Sequence, residues 1–156
     1  MRYFLLLILT GLILGCDEAA SPVKDAAQQS LFGSNQDAMV VRNLDADQIM
    51  RGEAVYNANC INCHGQNGEA TAEWRKTGAD GKYPPPPLNG TAHTWHHSTD
   101  VLKKTILDGT PPEYGSMPAW KDILTEQQVD DVIVWIKSLW PDEIYDVWYK
   151  NFENAD

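Results

Sequence analysis

Cys60-Ile61-Asn62-Cys63-His64 places two of the chain's three cysteines three residues apart, with an imidazole directly after the second. Three chemistries use thiols at this spacing: a small disulfide ring, half of a zinc site, or thioether attachment of a haem. A disulfide between such close neighbours constrains little chain and stabilises weakly, and it gives His64 no role. Zinc takes four donors in its structural sites, and no second Cys-x-x-Cys occurs. His93, His96 and His97 stand at no standard spacing from this pair.

Cys-x-x-Cys-His is the attachment signature of c-type haem. Both cysteines fall on one helical turn, from which two thioethers reach the vinyl groups along one porphyrin edge. His64 then projects towards the iron as its proximal ligand. A covalent bond also retains the cofactor outside the cytoplasm. Downstream, Gly115-Ser116-Met117-Pro118 offers a thioether on a loop, and Met117 is the expected distal ligand of the iron. Met39 and Met50 fit less well, since both precede the cysteines.

The elements that must position these groups read as helices. Asp45 can cap a first helix, with Gln48 three residues on and Asp47 near the positive end of its dipole. Ile49, Gly52, Val55 and Tyr56 give that helix one apolar face leading to Cys60. Gly52 is costly inside a helix, so its expected purpose is close approach of another backbone. Residues 66–83 are polar, with Gly68, Gly78 and Gly81, and read as a surface loop. The four prolines at 84–87 form a stiff wall without amide donors.

A short helix opens at Ser98-Thr99-Asp100 and stops at Gly109. Thr125 and Gln128 make a capping box for another, whose stripe is Val129, Val132, Ile133, Ile136, Leu139 and Trp140. Pro141 ends it. Asp142 is expected to cap a last helix, with Ile144, Trp148 and Phe152 on one face packing back on the domain. No strand of convincing length occurs, and the fold class is all-α.

With these elements placed, residues 45–140 resemble the class I cytochrome c family. The resemblance implies about three core helices around one covalent haem c, with residues 141–156 as an added C-terminal helix. It implies that the first helix crosses the last core helix through Gly52 and Tyr56 against Val132 and Trp135. It also implies a proline carbonyl, Pro86 being the closest match, that accepts the proximal histidine's ring N–H. Loop 66–83 departs from the family pattern and cannot be aligned residue by residue. Within residues 90–97, three histidines invite a copper or zinc site, an alternative sixth ligand, or a propionate contact from Trp95 or a histidine, against the plainer reading of surface polar residues beside a buried Trp95 with no haem role.

The function implied is one-electron transfer in a bacterial respiratory or other periplasmic redox chain, by a carrier rather than an enzyme. The alternatives are a haem c subunit of a larger membrane oxidoreductase complex and, behind it, a haem peroxidase or gas sensor. Both of the latter need an iron position that His64 and Met117 together would close.

The remainder of the chain says where such a domain would work. Residues 1–15 are a basic start and a short apolar run, too short to span a bilayer, and read as a signal peptide. Leu12-Ile13-Leu14-Gly15-Cys16 resembles a lipobox, which makes Cys16 the lipidated residue. Asp17 resembles the inner-membrane retention signal of some lipoproteins. Residues 16–44, rich in Ala, Gln, Asp and Ser, read as a flexible tether spanning roughly 30 Å. The expected location is therefore the periplasm, lipid-anchored to the inner membrane. A net charge of −10, with 22 acidic and 12 basic residues, disfavours nucleic acid. It suits redox proteins with a basic docking face.

Overall fold

The computed structural model describes residues 38–154. The signal peptide, Cys16 and most of the tether lie outside the described residues.

Asp45 is extended, and its carboxylate accepts the Gln48 amide N–H at 2.7 Å, opening α1, Ala46–Asn59. A second, single turn, α2, Ile61–His64, follows at once. After the loop and the prolines, a 3₁₀ turn covers His93–His96. Helix α3, Thr99–Asp108, is capped by Ser98 and closed by Gly109 at φ 74°. Helix α4, Glu126–Ser138, carries both bonds of the Thr125–Gln128 capping box. Helix α5, Asp142–Trp148, runs into a π turn at Tyr149–Glu153. No strand occurs among the described residues.

The core forms where α1 crosses α4. At Gly52 a Cβ would sit inside the Asp131 carbonyl oxygen's contact radius, 2.7 Å from its carbon and 2.8 Å from Trp135 Cβ. Only glycine lets these two backbones meet so closely. One turn on, the Tyr56 and Trp135 rings pack with centroids 4.0 Å apart. Val55, Val129, Val132, Ile133, Ile136 and Trp140 complete the buried centre. Helix α4 is covered on more sides than its apolar stripe suggests. Asp131, Trp135 and Lys137 are buried as well, because α1 lies on one flank and the C-terminal tail on another.

Burying Asp131 requires a partner. Arg51 Nε donates to it at 2.9 Å and Gln127 Nε2 at 2.8 Å. The Arg51 bond, chiefly, holds this carboxyl below the ordinary carboxylate range. A depressed pKa contributes stability above the unfolded value, and that stability is lost as pH falls through the folded one. Arg51→Gln should therefore move the acid-unfolding midpoint to higher pH, as read by circular dichroism. An unchanged midpoint would mean that the pair contributes nothing.

Two expectations are corrected at the end of the chain. Asp142 is not the cap of α5: extended Pro141 takes that position, with no side-chain cap bond. Asp142 is the first helical residue, where its charge still suits the dipole, and it pairs with Arg42 Nε at 2.8 Å. Nor does the chain hang free up to residue 44. The Val40 N–H donates to Asp146 Oδ1 at 2.7 Å and Lys150 Nζ to the Ala38 carbonyl at 3.1 Å. The Arg42 guanidinium donates to the Trp140 carbonyl and lies 4.8 Å from the Tyr145 ring centre. Val40 and Leu44 also pack against the core; composition misses this docking because the segment's partners lie about a hundred residues away in the chain.

The tail packs on the domain through Trp148, which is 2% exposed. Its Nε1 donates to the His97 carbonyl at 2.9 Å, and Lys137 Nζ lies 4.2 Å over its ring. Tyr145 and Trp140 rings contact it edge-on. Trp148→Ala should cost about 3–5 kcal/mol, measurable by urea denaturation. A loss below about 1 kcal/mol would mean that the tail is a dispensable appendage.

Candidate haem-binding site

The chain leaves α1 at Cys60, whose N–H donates to the Tyr56 carbonyl at 2.8 Å. The Cys60 carbonyl then accepts from both the Cys63 and His64 amides, at 3.1 and 3.0 Å. One turn thus carries both thiols and the imidazole. Gly65, at φ 81°, ends that turn, and its carbonyl takes the Tyr56 hydroxyl at 2.6 Å. A core side chain thereby fixes the exit from α2. Past it, the Glu69 carboxylate accepts the Gln66 and Asn67 amides, and Gly68 O accepts the Leu88 amide at 2.7 Å. The loop is tied back to the proline segment.

Three successive carbonyls of that segment are each taken by a side chain. Thr94 Oγ1 donates to Pro87 O at 3.0 Å and Trp140 Nε1 to Leu88 O at 2.7 Å. His64 Nδ1 lies 3.0 Å from Pro86 O. A carbonyl can only accept, so Nδ1 carries the proton and the Nε2 lone pair is left available. His64 is 8% exposed. Burial lowers its pKa, with the Pro86 bond opposing, so the neutral, ligating form is favoured.

Met117 is held on the far loop by two bonds to one residue. The Thr110 N–H donates to Met117 O, and the Met117 N–H to Thr110 Oγ1, both at 3.1 Å. Gly109 allows the turn beneath: a Cβ there would lie 2.7 Å from Met117 O. Trp120 donates its N–H to Ile106 O at 3.1 Å, which anchors the loop on α3.

These groups meet on one cavity of about 660 Å³, lined by Cys60, Cys63, His64 and Met117. Its apolar lining comes from Leu102 and Ile106 of α3, Val132, Ile133 and Ile136 of α4, and the prolines at 84–86. The volume falls within the range of about 300–1,000 Å³ usual for small-molecule sites. Cys60 and Cys63 are not joined in a disulfide, and burial first, then Cys63, pushes the Cys60 thiol up to about 11. No group of three or more His, Cys, Asp or Glu among the described residues is placed to hold a metal ion. The chemistry that fits is a large apolar macrocycle joined to two thiols, with an imidazole nitrogen and a thioether facing the same space.

Trp95 takes no part in this cavity. Its ring packs on His96 and Phe152, with centroids 3.8 and 6.2 Å away. His93 and His97 do line it, and so do Trp74, Arg75, Tyr83, Tyr114 and Trp120, none of which the sequence reading assigned. A Trp-Arg pair inside an otherwise polar glycine loop was the available signal.

Comparison with known proteins agrees with this chemistry. The family model described as Cytochrome C oxidase, cbb3-type, subunit III matches residues 47–136, more than half of the chain. The Cbb3-type cytochrome c oxidase subunit CcoP of Azospirillum brasilense is 32% identical over 101 residues, 63% of this chain. Its counterpart in Azospirillum sp. (strain B510) is 29% identical over 97 residues, 61% of this chain. In both cases the match spans 30% of the relative's own length. The crystal structure of cytochrome CL from the marine methylotroph Methylophaga aminisulfidivorans is 18% identical, covering 91% of this chain and 85% of that one, with a TM-score of 0.49. The chain belongs to the family that the matching model describes: it carries an all-α cytochrome c domain, whose cofactor is one covalently bound haem c and whose chemistry is electron transfer.

Proposed function

We propose that this protein is a monohaem one-electron carrier in which Cys60 and Cys63 would hold the haem covalently and His64 Nε2 and Met117 Sδ would ligate its iron. The observation that carries this reading is the convergence of all four side chains on one cavity, with His64 Nδ1 committed to Pro86. When bound, the haem supplies a reversible ferrous–ferric couple whose potential a thioether ligand raises. The chain's own contribution is to exclude water through α3, α4 and the proline wall, and to hold both ligands on clasped backbone. With His64 and Met117 both on the iron, no position would be left open for peroxide or gaseous ligands. Redox titration should give a single one-electron wave, and the reduced protein should resist carbon monoxide. Ready carbon monoxide binding would contradict the Met117 assignment and favour a sensor or peroxidase.

The setting proposed is the periplasmic face of the inner membrane, reached through a lipid on Cys16. No helix among the described residues is long and apolar enough to cross a membrane. Cys16→Ser should release the protein from the membrane fraction, whereas retention would sink the anchor. The acidic surface suits a redox partner with a basic face.

A second reading is favoured by the relatives, which are named as oxidase subunits and exceed this chain in length. The domain would then serve as the haem c subunit of a larger complex. Co-purification with further subunits after mild detergent extraction supports that arrangement, and isolation as a lone chain supports the free carrier.

A further inference from the structure

Helix α3 walls the cavity without an anchor in the core. Leu102, Thr105 and Ile106 line the cavity, yet none of the helix's ten residues is buried. Its ion pair to α4, Lys103 with Asp130 at 2.9 Å, is partly exposed and screened by water. The helix is held at its ends instead. At the C-terminal end, the Ile106 and Leu107 carbonyls accept the Trp120 N–H at 3.1 and 3.2 Å, and Leu107 O also takes the Lys121 N–H at 3.1 Å. Gly109 and Thr110 then lead into the Met117 clasp. Where α3 stands, the Met117 loop follows.

The N-terminal end is tied to the tail. Glu153, in the π turn, accepts the Thr99 N–H at 2.8 Å on one carboxylate oxygen and the Thr99 hydroxyl at 2.5 Å on the other. Lys137 Nζ of α4 donates to the same hydroxyl at 2.5 Å. Just ahead of Thr99, the His97 carbonyl takes the Trp148 indole N–H, and Phe152 packs on Trp95 and His96. Lys137 is 6% exposed, and a buried ammonium needs a countercharge. Burial pushes it down to about 8, with the Glu153 carboxylate foremost in opposition. Covering the core requires only Tyr145 and Trp148; the Glu153–Thr99–Lys137 knot acts on α3.

None of the three knotted residues lines the cavity. We infer that Glu153 and Lys137 are positioning residues for the distal ligand: through Thr99 they set where α3 stands, and α3 holds the Met117 thioether against the iron. The inference rests on the haem-binding reading above and gives the C-terminal extension a part in it. Loosening the knot lets α3 and the Met117 loop swing away as one local opening, while the α1–α4 core stays closed.

The test uses the haem-loaded full chain as wild type, Glu153→Gln, Thr99→Val, Thr99→Ser and Val129→Ala. The readouts are the rate of carbon monoxide binding to reduced protein, the sulfur–iron absorption band of oxidised protein, and hydrogen exchange of the α3 amides. Glu153→Gln and Thr99→Val should bind carbon monoxide on the order of tenfold faster than wild type, as loss of a hydrogen bond to a charged group implies. Both should weaken the sulfur–iron band and speed exchange in α3 but not in α1 or α4. Thr99→Ser keeps the hydroxyl and should match wild type. Val129→Ala truncates the core away from the cavity; it should lose stability to urea yet keep the wild-type rate and band. A wild-type rate and band in Glu153→Gln or Thr99→Val overturns the inference. So does an equal acceleration in Val129→Ala, which would reduce the knot to general stability. Absence of a haem stain or of the sulfur–iron band from the wild type marks failure of the haem-binding reading itself.

Discussion

Met117→His is expected to lower the midpoint potential on the order of 0.2 V, a fraction of the roughly 0.8 V that axial ligands command. A thioether sulfur favours ferrous iron, and a second imidazole gives up that preference. The effect should be electronic rather than structural. Met117 is half-buried on a loop, and the clasp to Thr110 runs through its backbone N–H and carbonyl, which histidine retains. The sulfur–iron band should vanish while covalent haem content stays at the wild-type level. Potentiometry of the purified variant decides it. An unchanged potential would remove Met117 from the iron.

Gly52→Ala should destabilise the fold, although alanine is the better helix former by about 1 kcal/mol. The two effects oppose, and magnitude settles the sign. The added methyl meets the Asp131 carbonyl and Trp135 Cβ, a clash with α4's backbone as well as with the rigid first atom of a side chain. Overpacking against flexible groups costs about 1–3 kcal/mol, occasionally more, and here little can rotate away. A net loss of about 2–3 kcal/mol is expected, with each kcal/mol lowering Tm by roughly 4–8 °C. The damage should also reach the site. Tyr56 stacks on Trp135 and donates to Gly65 O, so parting α1 from α4 pulls at the turn carrying His64. Thermal unfolding and the yield of haem-loaded protein measure both consequences. A variant as stable as wild type would mean that the crossing is looser than described.

Much of this arrangement is legible wherever one residue type has one physical reason for its place. Asp45, Ser98 and the Thr125–Gln128 pair declare helix starts because free amides need a nearby oxygen. Gly109 declares an end, and Gly52 announces a crossing. The thiols, imidazole and thioether declare their chemistry by type and spacing. Legibility ends where the answer depends on what arrives from elsewhere in the chain. Four consecutive prolines look alike in one dimension, and only the fold brings the Pro86 carbonyl within 3.0 Å of His64. Trp95 and Trp74 are equally plausible wall residues from composition, yet the tail's Phe152 takes the first, and the cavity takes the second. The segment at 40–44 shows no helical periodicity and so falls in with the tether, yet Val40 and Leu44 pack against the core and Arg42 fastens it. Asp142 has the right type for a cap and yields the position to Pro141, whose fixed φ already sets the entry angle.

The most direct measurement is the mass of the mature protein from a host able to attach haem, followed by the mass of the peptide spanning residues 60–64. Attachment at two points predicts an increment of one haem that survives denaturation and resides on that peptide, with Cys60 and Cys63 both refusing alkylating reagents. A bare polypeptide with two alkylatable thiols would contradict the account at its base.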